Sequence, residues 1–369
     1  MLSESDVLGA LKVVVDPDLH RDIVTLGFVR DVRIEGSTVS FTVNLTTPAC
    51  PVKEELQQQS EDAVLALPGV SRVEVKMTAE VRAKPQSEKQ ELIPGVKHCI
   101  AIASGKGGVG KSTVTVNLAV ALAQAGAKVG LMDADVYGPS IPLMMGAVDE
   151  KPFTQGNKIM PIRRYGVQMM SLGFLLEEGQ AVLWRGPMVA GTVRQLLADV
   201  DWGDLDYLLV DLPPGTGDAP MSLAQLAPLT GVVVVSTPHN VAANIAGKSV
   251  QLFRRLNAPI MGVVENMGAM TDPVTGEVKR MFFGTSGEAL AEDLKVPYLG
   301  SVPFDPEIGQ SGDAGMPSIV RSPHTEQAES FRTIAGRVAQ QASIAAMTRT
   351  DLTRLGDAAE RPRFQPVGS

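Results

Sequence analysis

Residues Gly105-Lys-Gly-Gly-Val-Gly-Lys-Ser112 decide the fold. They obey the spacing Gly-x-x-x-x-Gly-Lys-[Ser/Thr], in which glycines let successive backbone N–H groups turn toward phosphate oxygens. The N-terminus of the helix that follows adds a favourable dipole. On this reading Gly105, Lys106, Gly107, Gly108, Val109 and Gly110 form the cradle, Lys111 reaches the β- and γ-phosphates, Ser112 ligates Mg²⁺, and Thr113 completes the binding segment. The octet also satisfies Gly-x-Gly-x-x-Gly, with Asp133 and Asp135 at about the distance of a ribose-binding acid. A dinucleotide turn, however, has no need of Lys-Ser at its end, and a second phosphate-chemistry motif lies downstream. The setting agrees: residues 98–103 are a short apolar run ending in Ser104, and residues 111–124 have helical apolar spacing.

Working outward, strand-like apolar runs at residues 128–132, 167–172, 207–212, 232–236 and 260–264 alternate with helical stretches. Continuous Val, Ile and Leu runs between helices mark strands buried on both faces of a mostly parallel sheet. The fold class expected is therefore α/β: a P-loop NTPase with a mostly parallel sheet flanked by helices, preceded by a small α+β domain. That domain occupies residues 1–82. A helical pattern (Val7, Leu11, Val14) precedes Asp16-Pro-Asp18, two alternating runs at 29–34 and 39–45 flank a Glu35-Gly-Ser37 turn, and a helix over 52–67 leads to a strand near 73–77. Residues 83–95 are polar and proline-punctuated, as an interdomain linker would be. The ATPase domain spans 96–346 and closes on a helix over 324–346, and the tail 347–369 is expected to be disordered.

Composition narrows the function classes. With 369 residues, a net charge of −8 and no basic cluster longer than Arg163-Arg164 or Arg254-Arg255, constitutive nucleic-acid binding is disfavoured. No run approaches the ~18 apolar residues of a membrane span, and Met-Leu-Ser-Glu-Ser-Asp lacks the basic and apolar regions of a signal peptide. The expectation is a cytoplasmic protein without membrane partners. Two cysteines, Cys50 and Cys99, exclude a disulfide framework and a four-thiolate metal site within one chain.

Three acidic positions carry the hydrolytic chemistry. Asp211 ends the apolar run Tyr207-Leu-Leu-Val-Asp211, at the sheet edge where ligands sit, and fits the acid that orders Mg²⁺ through water. Asp133 and Asp135 lie two residues apart, so on a continuing strand they share a face; Asp135 is assigned to the attacking water and Asp133 to the Mg²⁺ shell. Glu265-Asn-Met-Gly268 stands where a guanine-specific protein would show Asn-Lys-x-Asp. Adenine is therefore favoured, with Asn266 as its amide partner. Cys50 lies just before a helix, whose N-terminus would give its thiol thiolate character.

These motifs resemble the Mrp/ApbC iron–sulfur carrier ATPases of the deviant Walker A (SIMIBI) class. The resemblance rests on Gly105-Lys-Gly-Gly-Val-Gly-Lys-Ser112, Asp133-Ala-Asp-Val-Tyr-Gly-Pro-Ser-Ile-Pro142, Trp184-Arg-Gly-Pro-Met188, Asp211-Leu-Pro-Pro-Gly-Thr-Gly-Asp218 and Val264-Glu-Asn-Met267. Residues 1–82 resemble the SufT/PaaD-like domain through Asp16-Pro-Asp18 and Thr46-Thr-Pro-Ala-Cys-Pro51. The resemblance implies a homodimer that sandwiches two ATP molecules, with Lys106 of each subunit reaching phosphates held by the other. It also implies an Fe–S cluster bridged across the dimer and passed to apoproteins. One departure stands out: the family's Cys-x-x-Cys pair follows the Glu-Asn-Met segment, and here Gly268-Ala-Met-Thr-Asp-Pro-Val-Thr-Gly-Glu277 holds no cysteine. Cys50 is then the thiol left for a cluster, with exogenous thiols, Asp16 or a partner completing its shell. The alternative is a nucleotide-switched scaffold or adaptor that has lost cluster binding. A ParA- or MinD-like positioning ATPase would want a basic DNA face or a basic amphipathic helix, which the sequence does not supply.

Overall fold

The computed structural model describes residues 2–83, 92–175, 186–272 and 274–359, with the backbone course alone for 186, 187, 218, 219 and 348–359. The small N-terminal unit is α1 (Glu4–Leu11), β1 (Val29–Glu35), β2 (Thr38–Leu45), α2 (Lys53–Leu65) and β3 (Arg72–Ala79). Ser3 and Asp6 form a reciprocal capping box that starts α1. β1 and β2 make the expected hairpin, with a bulge between Arg30 and Arg33. β3 then pairs with β2 in parallel from Thr38↔Arg72 to Leu45↔Ala79. Val39, Phe41, Val43 and Leu45, at alternate positions of β2, meet Val7, Leu11, Leu56 and Val64 in a core of their own.

The larger unit begins with β4 (Val96–Ser104), α3 (Lys111–Gln124), β5 (Val129–Asp133), α4 (Ile141–Met144), β6 (Ile162–Arg164) and β7 (Val167–Ser171). It continues through α5 (Gly186–Ala198), β8 (Leu205–Asp211), α6 (Asp218–Leu226), β9 (Leu229–Ser236), α7 (Asn240–Arg255) and β10 (Ile260–Gly268). It closes with α8 (Gly287–Leu294), β11 (Tyr298–Pro303), α9 (Pro306–Asp313), α10 (Ser318–Arg321) and α11 (Glu326–Ala359). Eight strands form one sheet in the order β6-β7-β5-β8-β4-β9-β10-β11. All neighbours are parallel except the edge pair β6 and β7. Every residue of β5 and β9 is buried, as strands covered on both faces must be.

The structure adds and corrects. β11 escaped the sequence reading because Gly300 and Pro303 interrupt its apolar run, and β6 because three residues carry no period. The tail expected to be disordered from residue 347 is helical through Ala359, with no proline between Ala346 and Pro362 to stop it. Residues 360–369 lie outside the described residues, as do 84–91 of the expected linker and Trp184-Arg185 of the quoted motif. Val81 and Ile93, which flank 84–91, are both buried in the large core.

One helix ties the two units together. Phe331, Ile334, Val338 and Ala342 of α11 belong to the large core, whereas Met347 packs against the small one. Between them the Gln340 amide donates to Asp18. Gly336 lets the small unit's loop approach, since a Cβ there would come within 2.8 Å of the Ala49 carbonyl oxygen. A buried bond from the Tyr207 hydroxyl to Thr47 Oγ1, 3.1 Å, joins that loop to β8.

Candidate nucleotide site

The sheet delivers its chemistry at the carboxyl ends of β4, β5 and β8. Gly110 turns the chain into α3 with φ 76°, a left-handed conformation that favours glycine. Lys111 and Ser112 follow at the helix start. The Lys111 ammonium lies 2.7 Å from Asp211 Oδ2, with both side chains almost wholly buried. Ser112 Oγ donates to the same oxygen at 2.6 Å, and Thr115 Oγ1 donates to Oδ1 at 2.7 Å. A buried carboxylate is tolerable only when paired and fully hydrogen-bonded, and Asp211 is both. Thr115 was missed in the sequence although it stands one helical turn after Lys111, on the same face.

Strand register explains the second acid. Asp211 of β8 and Ser171 of β7 are both lateral partners of Asp133 at the end of β5. Asp133 is buried, and it accepts from Ser171 Oγ at 2.9 Å, from the Asp135 amide at 3.1 Å and from the Ile141 amide at 3.3 Å. Burial, then the neighbouring Asp211 charge, push its carboxyl up to about 7. Ser171 was read as part of a strand and given no role.

Asp135 does not share a strand face with Asp133, because β5 ends at Asp133 and the chain bends there. The bend is closed by the amide of Asp135 on the Asp133 carboxylate. Asp135 is half-buried; burial raises its carboxyl and the Lys111 charge opposes that shift. The two acids thus reach one neighbourhood by a turn rather than along a strand.

Gly105 and Val109 are buried, whereas Lys106, Gly107 and Gly108 are exposed. Ser104 Oγ holds the Lys106 carbonyl at 3.2 Å, and the Gly215 amide donates to the Ser104 carbonyl at 2.9 Å, which ties the turn after β8 to the loop. The Thr113 carbonyl accepts from Asn117 Nδ2 at 2.9 Å. Asn266, assigned to adenine, is buried beneath the loop, and its Nδ2 donates to the Val109 carbonyl at 2.9 Å. The residues fit Mg²⁺: the Ser112 hydroxyl and the Asp211 carboxylate already converge, both hard oxygen donors.

Cys50 differs from its expectation. Burial pushes its thiol up to about 11, and the nearby carboxylates of Asp16 and Asp18 add to that, outweighing a backbone hydrogen bond from Val52. Its sulfur is not the activated thiol that a helix start implied. Cys50 lines a cavity of about 330 Å³ with Pro48, Pro51, Gln124 and Arg332. Cys99 is buried in β4. Among the described residues no group of three or more His, Cys, Asp or Glu side chains is placed to hold a metal.

A family model described as NUBPL iron-transfer P-loop NTPase matches residues 95–339, and one described as an iron–sulfur cluster assembly protein matches residues 4–77. A Synechocystis relative named iron–sulfur cluster carrier protein is 46% identical over 352 residues, covering 94% of this chain and 100% of its own. The Escherichia coli protein of that name is 38% identical, covering 91% of each. Among solved structures, a nucleotide-binding protein from Archaeoglobus fulgidus in complex with ADP is 37% identical at a TM-score of 0.57, covering 66% of this chain and 95% of its own. The chain belongs to the NUBPL iron-transfer P-loop NTPase family, with an iron–sulfur cluster assembly domain fused ahead of the ATPase.

Proposed function

We propose that this protein is an Mg²⁺-dependent ATPase that carries Fe–S clusters to apoproteins, working as a homodimer in the cytoplasm. The observation that carries the ATPase reading is the knot of Lys111, Ser112 and Asp211. Triphosphate entering the loop offers Lys111 a new partner, which frees one Asp211 oxygen to orient water beside Ser112. Mg²⁺ held between Ser112 and Asp211 would neutralise charge on the phosphates. Asp135, half-buried and within the field of Lys111, would orient the attacking water. The ADP in the Archaeoglobus neighbour supports an adenine nucleotide. Lys106, exposed at the loop's rim, is free to reach a second copy. Lys106→Ala is expected to keep nucleotide binding but lose the rise of specific activity with protein concentration.

The carrier reading draws on the names of the relatives and the fused assembly domain. Cys50 is the thiol offered to the cluster, and Asp16 and Asp18 line a smaller cavity with it. A second reading, an adaptor whose ATP switch governs partner docking, is favoured by one observation: the stretch after Asn266 lacks cysteine and Cys50 is held protonated. Anaerobic reconstitution with iron and sulfide separates the two. A charge-transfer band that vanishes in Cys50→Ser supports the carrier; absence of bound iron supports the adaptor. Among the described residues no helix is long and apolar enough to cross a membrane. An Arabidopsis relative, 43% identical, is named as chloroplastic, so the compartment needs its own test by fractionation.

A further inference from the structure

Asn266, expected to read the base, makes a bond to the phosphate loop. Its side chain is 5% exposed, and its Nδ2 donates to the Val109 carbonyl at 2.9 Å. Gly110 is shaped around the same atom: a Cβ at that position would lie 2.2 Å from Asn266 Nδ2 and 3.7 Å from the Met267 methyl. The arm that presents Asn266 is itself fixed. Glu265, buried, accepts from the Gly287 amide at 2.6 Å and from Ser301 Oγ at 2.8 Å, pinning the end of β10 to α8 and β11. Directly after Asn266, Met267 has φ 57°, a strained conformation for a side chain of that size, and the β10–β11 register shifts between Glu265 and Gly268.

We propose that Asn266 is a positioning residue for the phosphate loop: by gripping the Val109 carbonyl from below, it turns the flanking N–H groups toward the phosphates. A carbonyl left free to rotate would point its oxygen at the anion and remove part of the cradle. This is a role in holding phosphate, not in reading the base, and it rests on the loop being the ATP site.

Inorganic tripolyphosphate, which has no base, tests it. Kd values for ATP and for tripolyphosphate, each with Mg²⁺, are measured on the full chain and on Asn266→Ala. Both should rise by the same factor, on the order of five- to tenfold, as expected for one lost hydrogen bond. The Ki of adenosine, which has the base and no phosphate, should stay unchanged in competition against a fluorescent ATP analogue, and a rise in it overturns the proposal. Weakened ATP with unchanged tripolyphosphate overturns the proposal and makes Asn266 a base reader, and no change in either ligand overturns it as well. Wild-type protein that binds neither ligand overturns the ATP-site reading beneath it. Asn266→Leu, similar in volume and without a donor, serves if the alanine variant does not fold, with thermal unfolding run alongside.

Discussion

The ends of β4, β5 and β8 and the corner around Cys50 hold their groups in place by opposite means. At the strand ends charge does the holding: Asp211 is buried yet accepts from Lys111, Ser112 and Thr115 at once. At the corner shape does the holding: Cys50 lies among Pro48, Pro51 and Gln124, with its thiol kept neutral by burial. The difference teaches where energy is stored for chemistry. The first region is ready for an anion, whereas the second keeps its sulfur as the neutral thiol.

Each half of that contrast can be broken. Lys111→Ala should cut phosphate release by about a thousandfold, since it removes the group that meets transition-state charge; release at the parental rate would show that the knot is not the hydrolytic site. Iodoacetamide labelling of Cys50 at pH 8 should be about a hundredfold slower in the native chain than in the unfolded one, because only the thiolate attacks. The native rate should climb with pH toward about 11, the direction set by a raised thiol. Labelling at unfolded rates would mean that the corner is open in solution. Thr115→Val strands one oxygen of a buried carboxylate and should lower unfolding stability by about 1–3 kcal/mol, measured by urea denaturation. Tyr207→Phe removes the bond to Thr47 and should lower it by less, about 0.5–1.5 kcal/mol, while leaving hydrolysis near the parental rate.

Much of the nucleotide end was legible because it is local. Lys111 and Ser112 are read from one octet, and Asp211 from one apolar run with an acid at its end. What stayed hidden depends on lateral register. That Ser171 and Asp211 both flank Asp133 follows from the strand order β7-β5-β8, which no spacing along the chain encodes. Asn266 was found as a candidate adenine partner, but its bond to the loop was not, because its strand was visible while the strained turn at Met267 that accompanies that bond was not. For Cys50, position before a helix was legible and burial was not, and burial reversed the sign. β11 was lost to Gly300 and Pro303, which interrupt its apolar run; at the edge of the sheet it tolerates a proline that an interior strand would not.

The helix α11 gives the boundary between the units an unusual consequence for anyone who would divide them. In sequence the units part at residues 83–95, yet the C-terminal helix carries a residue of each core, Val338 for one and Met347 for the other. Excising residues 1–82 would strip the cover from Met347, and shortening the chain from its far end would uncover the small unit's core instead. The two units share one axle, and because α11 also packs on the helix that begins at Lys111, the seat of the small unit is coupled to the start of the phosphate-loop helix.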